Sequence, residues 1–221
     1  MRRFIILFSA LPVIASLVLA HLMGWRVLNK RTRLSLSLRQ ILEKLKASGV
    51  EYSPKKRVWQ PLPLAKTGEA HITEKHLESR DSQIVSAELL RIGFGEINKT
   101  HPEMVQWRCK VLKAGYFFPP FILLGGVLAM AVKRLPPGWF IAIFVVALAL
   151  SSIMLWLSRT VEKEAATAIS SLLERKRTLN RLSEEEALVE SIHAWTWVSI
   201  LPGILVSLMA KINQVKDSEK E

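Results

Sequence analysis

Apolar residues in this chain are gathered into blocks separated by long polar stretches. Residues 4–23 form the first block, bracketed by Arg2 and Arg3 on one side and by Arg26, Lys30, Arg31 and Arg33 on the other. A run of about 20 apolar residues is enough to cross the hydrocarbon core of a bilayer as a helix. Such a stretch near the start of a chain is also read as a secretory signal, with Val18-Leu19-Ala20 as the cleavage site. The length of the run and the dense positive charge after it favour an uncleaved anchor. A second span is expected at residues 117–132, broken early by Pro119-Pro120, and a third at 139–157. The turn Lys133-Arg134-Leu135-Pro136-Pro137-Gly138 joins these two into a helical hairpin. A fourth span is expected at about 192–210, with Trp195 and Trp197 suited to the interfacial belt and Pro202-Gly203 as a kink.

The polar stretches carry weaker signals. Residues 34–48 open with alternation and continue as a helix, its apolar face made by Ile41, Leu42 and Leu45 and its end marked by Gly49. Residues 50–68 hold three prolines and a Lys55-Lys56-Arg57 run, which predicts an irregular, solvated connection. Residues 71–86 are polar and suit a short hairpin or strand. Residues 87–107 read as a helix pair broken at Gly93, Gly95 and His101-Pro102. Residues 158–180 predict an amphipathic helix with Glu162, Glu164, Glu174, Arg175, Lys176 and Arg177 on its polar side. Ser183 followed by Glu184, Glu185 and Glu186 predicts the start of another, with Ser183 as N-cap and glutamate at N3.

Together these elements predict a mainly α, polytopic helical membrane protein of about four transmembrane helices with a small α(+β) domain beside the membrane. The expected division is an anchor at 1–24, a domain at 25–115, a helical hairpin at 116–158, amphipathic helices at 159–191, a last span at 192–211 and a polar tail at 212–221. Charge adds an orientation. The formal net charge is +12. Residues 24–115 hold 18 Lys and Arg and residues 158–192 hold 6, against 7 in the rest of the chain. The positive-inside rule then puts both polar regions in the cytoplasm and both termini outside. Anionic lipid headgroups are the expected partner of so basic a face; no aromatic-and-basic motif for nucleic acid accompanies it, and none is expected to bind.

Few residues are patterned for chemistry. There is no phosphate-binding loop and no G-x-S-x-G elbow, and Gly93-Phe94-Gly95 reads as a turn. Ser79, Ser82 and Ser86 lie near His76 without the spacing of a triad. The single Cys109 excludes an intrachain disulfide and a CxxC metal site. A helical zinc site needs two histidines four residues apart. His71 and His76 are five apart, roughly 140° around a helix, so they converge only on a strand or loop. His101 precedes a proline and reads as a turn residue, and His193 reads as interfacial. Glu162 and Glu164 lie a turn or two from the membrane surface.

The order of these features resembles that of the bacterial membrane-embedded neutral zinc metallopeptidases of the YugP-like family, over nearly the whole length. His76-Leu77-Glu78-Ser79-Arg80, with Val85-Ser86 after it, is similar to the family's H-Y-D-P-R segment and the L-S that follows. Arg108-Cys109-Lys110 and Leu123-Leu124-Gly125-Gly126 resemble its post-site arginine and the glycine pair of its second span. Thr160-Val161-Glu162-Lys163-Glu164-Ala165-Ala166 resembles P-V-E-F-[DN]-A-S. The resemblance implies that Glu162 stands where the family has its third zinc ligand, in a multi-pass protein of the bacterial inner membrane.

The chain departs from the family at its H-E-V-G-H site. One register places Leu90-Arg91-Ile92-Gly93-Phe94 there, keeping only the glycine; a second places Ala87-Glu88-Leu89-Leu90-Arg91 there, keeping only the glutamate. Both lose the two imidazoles, and one carboxylate does not hold Zn²⁺ where three protein ligands are normal. Without the metal no water is acidified, so no catalytic residue is assigned. The expectation is a metal-free pseudoenzyme without a cofactor that binds or regulates another membrane protein, with Glu162 paired to Arg91. Two alternatives stay open: an active zinc peptidase with relocated ligands drawn from His71, His76, His101 and Glu162, and a non-enzymatic basic protein that binds anionic lipid.

Overall fold

The structure is a computed structural model, and it describes residues 2–30, 32–47, 49–58, 69–179 and 181–209. Helix α1 (Arg2–Leu19) runs through a π-helical turn (Ala20–Trp25) into a short α2 (Arg26–Leu28). Two further long helices follow later, α5 (Pro102–Ala131) and α6 (Pro137–Lys176). These three rods are long and apolar enough to cross a membrane. Their outward faces carry Phe4, Phe8, Phe121, Leu128, Val132 and Leu157, each well exposed. In water that surface would be costly; in hydrocarbon it is the favoured one.

The prolines of α5 do not break it. Pro119 and Pro120 lie inside a continuous 30-residue helix, where they remove two backbone donors without ending the rod. Helices α5 and α6 form the expected hairpin, with Lys133 in the left-handed region (φ 57°) at the turn and the Phe140 ring packed against Gly126. Helix α6 is 40 residues long, about 60 Å at 1.5 Å per residue and twice the thickness of a bilayer core. The third span and the amphipathic helix expected after it are therefore one rod. Its first half is lipid-like in composition, and its second half carries Glu162 into the domain.

The fourth expected span is not a single helix. Helix α7 (Leu182–Val198) stops short, Ser199 to Pro202 form a bend, and a separate helical stretch covers 203–209; residue 210 lies outside the described part. Pro202 cannot donate the backbone bond that would carry α7 onward. Much of α7 is buried in the domain rather than facing lipid: Leu188 and Ile192 belong to its core.

That core is shared by segments far apart in sequence. Helix α3 (Leu38–Lys46) is closed at its start by a capping box between Ser37 and Gln40, and buries Leu38, Ile41, Leu42 and Leu45. Gly49, at φ +83°, turns the chain away after it. Strands β1 (Tyr52–Lys55) and β2 (Ala70–Thr73) pair in parallel, Tyr52 opposite Ala70. The strand expected in residues 71–86 thus exists, but it pairs with part of the segment expected to be irregular; residues 59–68 of that segment lie outside the described part. A 3₁₀ turn (Glu74–His76) leads to α4 (Ser82–Thr100), whose N-cap Asp81 accepts from the Gln83 N–H. Against α3 and α4 pack Val161, Ala165, Ala166, Ile169 and Leu173 of α6.

Helix α4 is continuous through Gly93 and Gly95 and ends only at His101, so neither the break nor the turn expected at the glycines is present. The reason is packing. A Cβ on Gly93 would drive into the Ala165 backbone carbonyl, so glycine lets α4 and α6 touch backbone to backbone. The start of α7 also differs. Its N-cap is Arg181, which makes no side-chain cap. Ser183 lies inside the helix, and Glu184 turns to Ser35, accepting from the backbone N–H at 2.9 Å and the hydroxyl at 2.7 Å.

Candidate functional site

The close approach at Gly93 sets one face of α4 against α6 next to Glu162. Leu90, Arg91 and Phe94 of α4, Arg108, Leu112 and Tyr116 of α5, Glu162 of α6 and Trp195 of α7 line one cavity of about 50 Å³. That is room for a few water molecules. Gly93 meets the Ala165 backbone of α6 beside this cavity. Of the four α4 positions singled out in sequence, Leu90, Arg91 and Phe94 line this cavity with Glu162, as does Ala87, while Gly93 packs on Ala165.

Glu162 is fully buried, not on a polar face as its place in a charged stretch predicts. Its partner is Arg108, whose Nε donates to Oε1 at 2.6 Å. The Arg108 guanidinium lies over the Phe94 ring, 3.6 Å from the centroid, a favourable cation–π geometry. Arg91 does not reach Glu162. It donates instead to Oε2 of Glu88 at 2.6 Å, one turn earlier on its own helix. The expected Glu162–Arg91 pair is replaced by Glu162–Arg108. The pairing is incomplete: Glu162 Oε2 and Arg108 Nη1 are both buried without a hydrogen-bond partner among the described residues.

Glu88 forms a second buried centre. It accepts from Arg91 and also meets His76 Nδ1 at 2.5 Å, so His76 belongs to this pair and not to a metal set. His71 lies in β2, buried, with Nδ1 unpartnered. Burial, and then the nearby Lys55 charge, hold its imidazole below the ordinary value. His101 caps α4 and faces Glu103 at 3.6 Å on the surface. Among the described residues no three of His, Cys, Asp and Glu come together as a metal-holding group. His71, His76, His101 and Glu162 are not gathered into one site.

The donor set at Glu162 does not fit zinc. Two positions facing it, Leu90 and Phe94, offer hydrocarbon, and its carboxylate is held by a guanidinium that cannot give up its charge. A half-satisfied Arg108–Glu162 pair in an apolar shell lines the small cavity instead.

Arg108, Tyr116 and Trp195 are the residues whose place at this centre sequence reasoning missed. Arg108 had a signal. It falls in register with Val105, Leu112 and Gly115, the buried stripe of α5, and a charge on a buried helical stripe calls for a partner across the interface. Tyr116 and Trp195 had none beyond their aromatic character. The Trp195 indole donates to the Gln83 carbonyl and the Ser86 hydroxyl, and its ring meets Trp25 edge-on at 6.1 Å, which ties α4, α7 and the first rod at one point. In comparison with known proteins, no protein family, no curated protein and no solved structure matches the chain.

Proposed function

We propose that this is a multi-pass membrane protein on a zinc-metallopeptidase-like scaffold that has exchanged its metal for an internal ion pair, and that it acts as a non-catalytic binding or regulatory component for another membrane protein. The observation that carries this is the cavity where Leu90, Arg91 and Phe94 face Glu162, with Arg108 on the carboxylate. In one register of the YugP-like resemblance the two imidazoles would occupy the positions of Leu90 and Phe94, and in the other those of Ala87 and Arg91, in each case four residues apart and so on one helical face. The glycine that the resemblance keeps, Gly93, has a physical reason to be kept: it seats α4 on Ala165, three residues from Glu162. Arg108 supplies the positive charge that a carboxylate this deeply buried requires.

The relocated-ligand alternative needs at least two of His71, His76 and His101 beside Glu162, and among the described residues His76 pairs with Glu88, His101 faces Glu103 and His71 lies in β2. Elemental analysis of the purified full-length chain separates the readings. The expected result is zinc well below one equivalent, unchanged by Glu162→Ala. Stoichiometric zinc that disappears in Glu162→Ala would overturn the proposal.

A further inference from the structure

A second polar–aromatic centre lies where α6 leaves its apolar stretch, and the Glu162 cavity does not use it. The apolar run of α6 ends at Leu157, and Arg159 follows it. Its guanidinium lies flat over the Trp197 ring of α7, 3.4 Å from the centroid. No carboxylate among the described residues pairs with it. Its Nε is buried without a hydrogen-bond partner among the described residues. The nearest acid on its helix face, Glu162, is already taken by Arg108.

The neighbourhood adds charge of the same sign. Lys163 is one turn further along α6 and exposed. It lies near enough to His193, one turn before Trp197 on α7, for its charge to be felt there: burial first, and then Lys163, push that imidazole below its ordinary value, against a smaller opposing effect of Glu174. Two helices thus present Arg159, Lys163, His193 and Trp197 together. Trp156, a turn before Arg159, is part-exposed on the outer face.

The level of this centre is fixed independently. Helix α7 ends at Val198, just after Trp197, and Gly203 beyond it packs on Tyr116 of α5. Tyr116 is followed by Phe117, Phe118 and Phe121, all well exposed. Gly115 of α5 packs on Leu155 of α6, so the exposed aromatics of α5 begin close to where the apolar run of α6 ends, a turn before Arg159. That is the depth at which aromatic belts and phospholipid phosphates lie.

We propose that Arg159 and Lys163, with Trp197 as a stacking platform, hold the phosphodiester of an anionic glycerophospholipid at the membrane surface. A part-buried cation without an acid partner calls for an anion. The guanidinium fork matches two phosphate oxygens, and the indole beneath it fixes the plane in which the fork opens. Lys163 favours a headgroup with net negative charge over a zwitterionic one.

The test uses the full-length chain reconstituted in phosphatidylcholine bilayers containing phosphatidylglycerol. The protein is released into detergent, and retained lipid is measured by native mass spectrometry. Wild type is expected to keep one phosphatidylglycerol in preference to phosphatidylcholine. Arg159→Gln is expected to keep it about tenfold less, the loss of one charge-assisted pair. Lys176→Gln, at the far end of α6, is expected to keep it fully. Arg159→Lys preserves the charge without the fork and serves if Arg159→Gln does not fold; it too is expected to lose most of the retention. Equal retention by either Arg159 variant overturns the proposal. So does displacement of the lipid by an equal concentration of inorganic phosphate, which would make the occupant a free anion.

Discussion

Replacing Arg108 by methionine removes the cation from Glu162 while keeping most of the side-chain volume. Glu162 is fully buried and Arg108 is its one hydrogen-bond partner among the described residues, so the variant leaves the carboxylate without that counter-charge and strips the guanidinium from Phe94. Breaking a buried pair from one side costs about 3–5 kcal/mol. Solvent screening gives little relief, because both side chains are almost wholly buried. For a chain of this length each kcal/mol moves Tm by about 2–4 °C, so Arg108→Met is expected to lower Tm by about 6–20 °C. The double variant Arg108→Met/Glu162→Leu removes both charges and should recover most or all of that loss, since a well-packed apolar replacement of a buried pair is neutral or stabilising by about 1–4 kcal/mol. The assay is thermal unfolding of the reconstituted protein followed by tryptophan fluorescence, to which Trp195 at the cavity wall contributes. An unchanged Tm in Arg108→Met, or a double variant no more stable than the single one, would refute the assignment of Arg108 as the charge that Glu162 depends on.

Two substitutions at glycine should act in opposite directions. Gly93→Ala pushes a methyl into the Ala165 carbonyl and is expected to cost about 1–3 kcal/mol as α4 and α6 separate, whereas Gly125→Ala meets nothing within 4 Å and should stabilise α5 by about 0.5–1 kcal/mol; Tm measurements on both decide it. The Ser35–Glu184 contact should be acid-labile: the backbone N–H and then the hydroxyl of Ser35 hold the Glu184 carboxyl below its ordinary value, so its stabilisation is full above the unfolded carboxylate range and lost as pH falls through the folded value. Tm measured from pH 7 down to pH 3 should therefore fall less steeply in Glu184→Gln than in wild type, and parallel curves would count against the contact.

The rods were legible because their signal is length and composition, which neighbours hardly alter. That is why the first block, the hairpin and the apolar face of α3 at Ile41, Leu42 and Leu45 appear where the pattern puts them. The failures share a cause: local rules were overridden by tertiary contact. Gly93 and Gly95 read as breakers, yet the absent side chain at Gly93 is what α4 needs to meet Ala165. Pro119-Pro120 reads as a break, yet α5 passes through it. Pro202-Gly203 reads as a kink, yet α7 ends at Val198 and a separate helical stretch begins at 203. At the candidate site, Leu90, Arg91 and Phe94 are positions to which the family resemblance points and which no periodicity in this chain singles out. The partner of Glu162 is not singled out either, because Arg91 and Arg108 are equally cationic in sequence, and only packing shows that Arg91 turns back to Glu88 while Arg108 crosses to α6.

The central claim is that Leu90 and Phe94 occupy the positions of two lost metal ligands opposite Glu162, and restoring those ligands tests it most directly. The double variant Leu90→His/Phe94→His, prepared with and without Arg108→Met, is titrated with zinc in the reconstituted state. The account predicts one equivalent of zinc bound by the double variant in at least one of these backgrounds, a rise in Tm on binding, and loss of both when Glu162→Ala is added. A folded double variant that binds no zinc in either background, or binds it equally well in Glu162→Ala, would contradict the account.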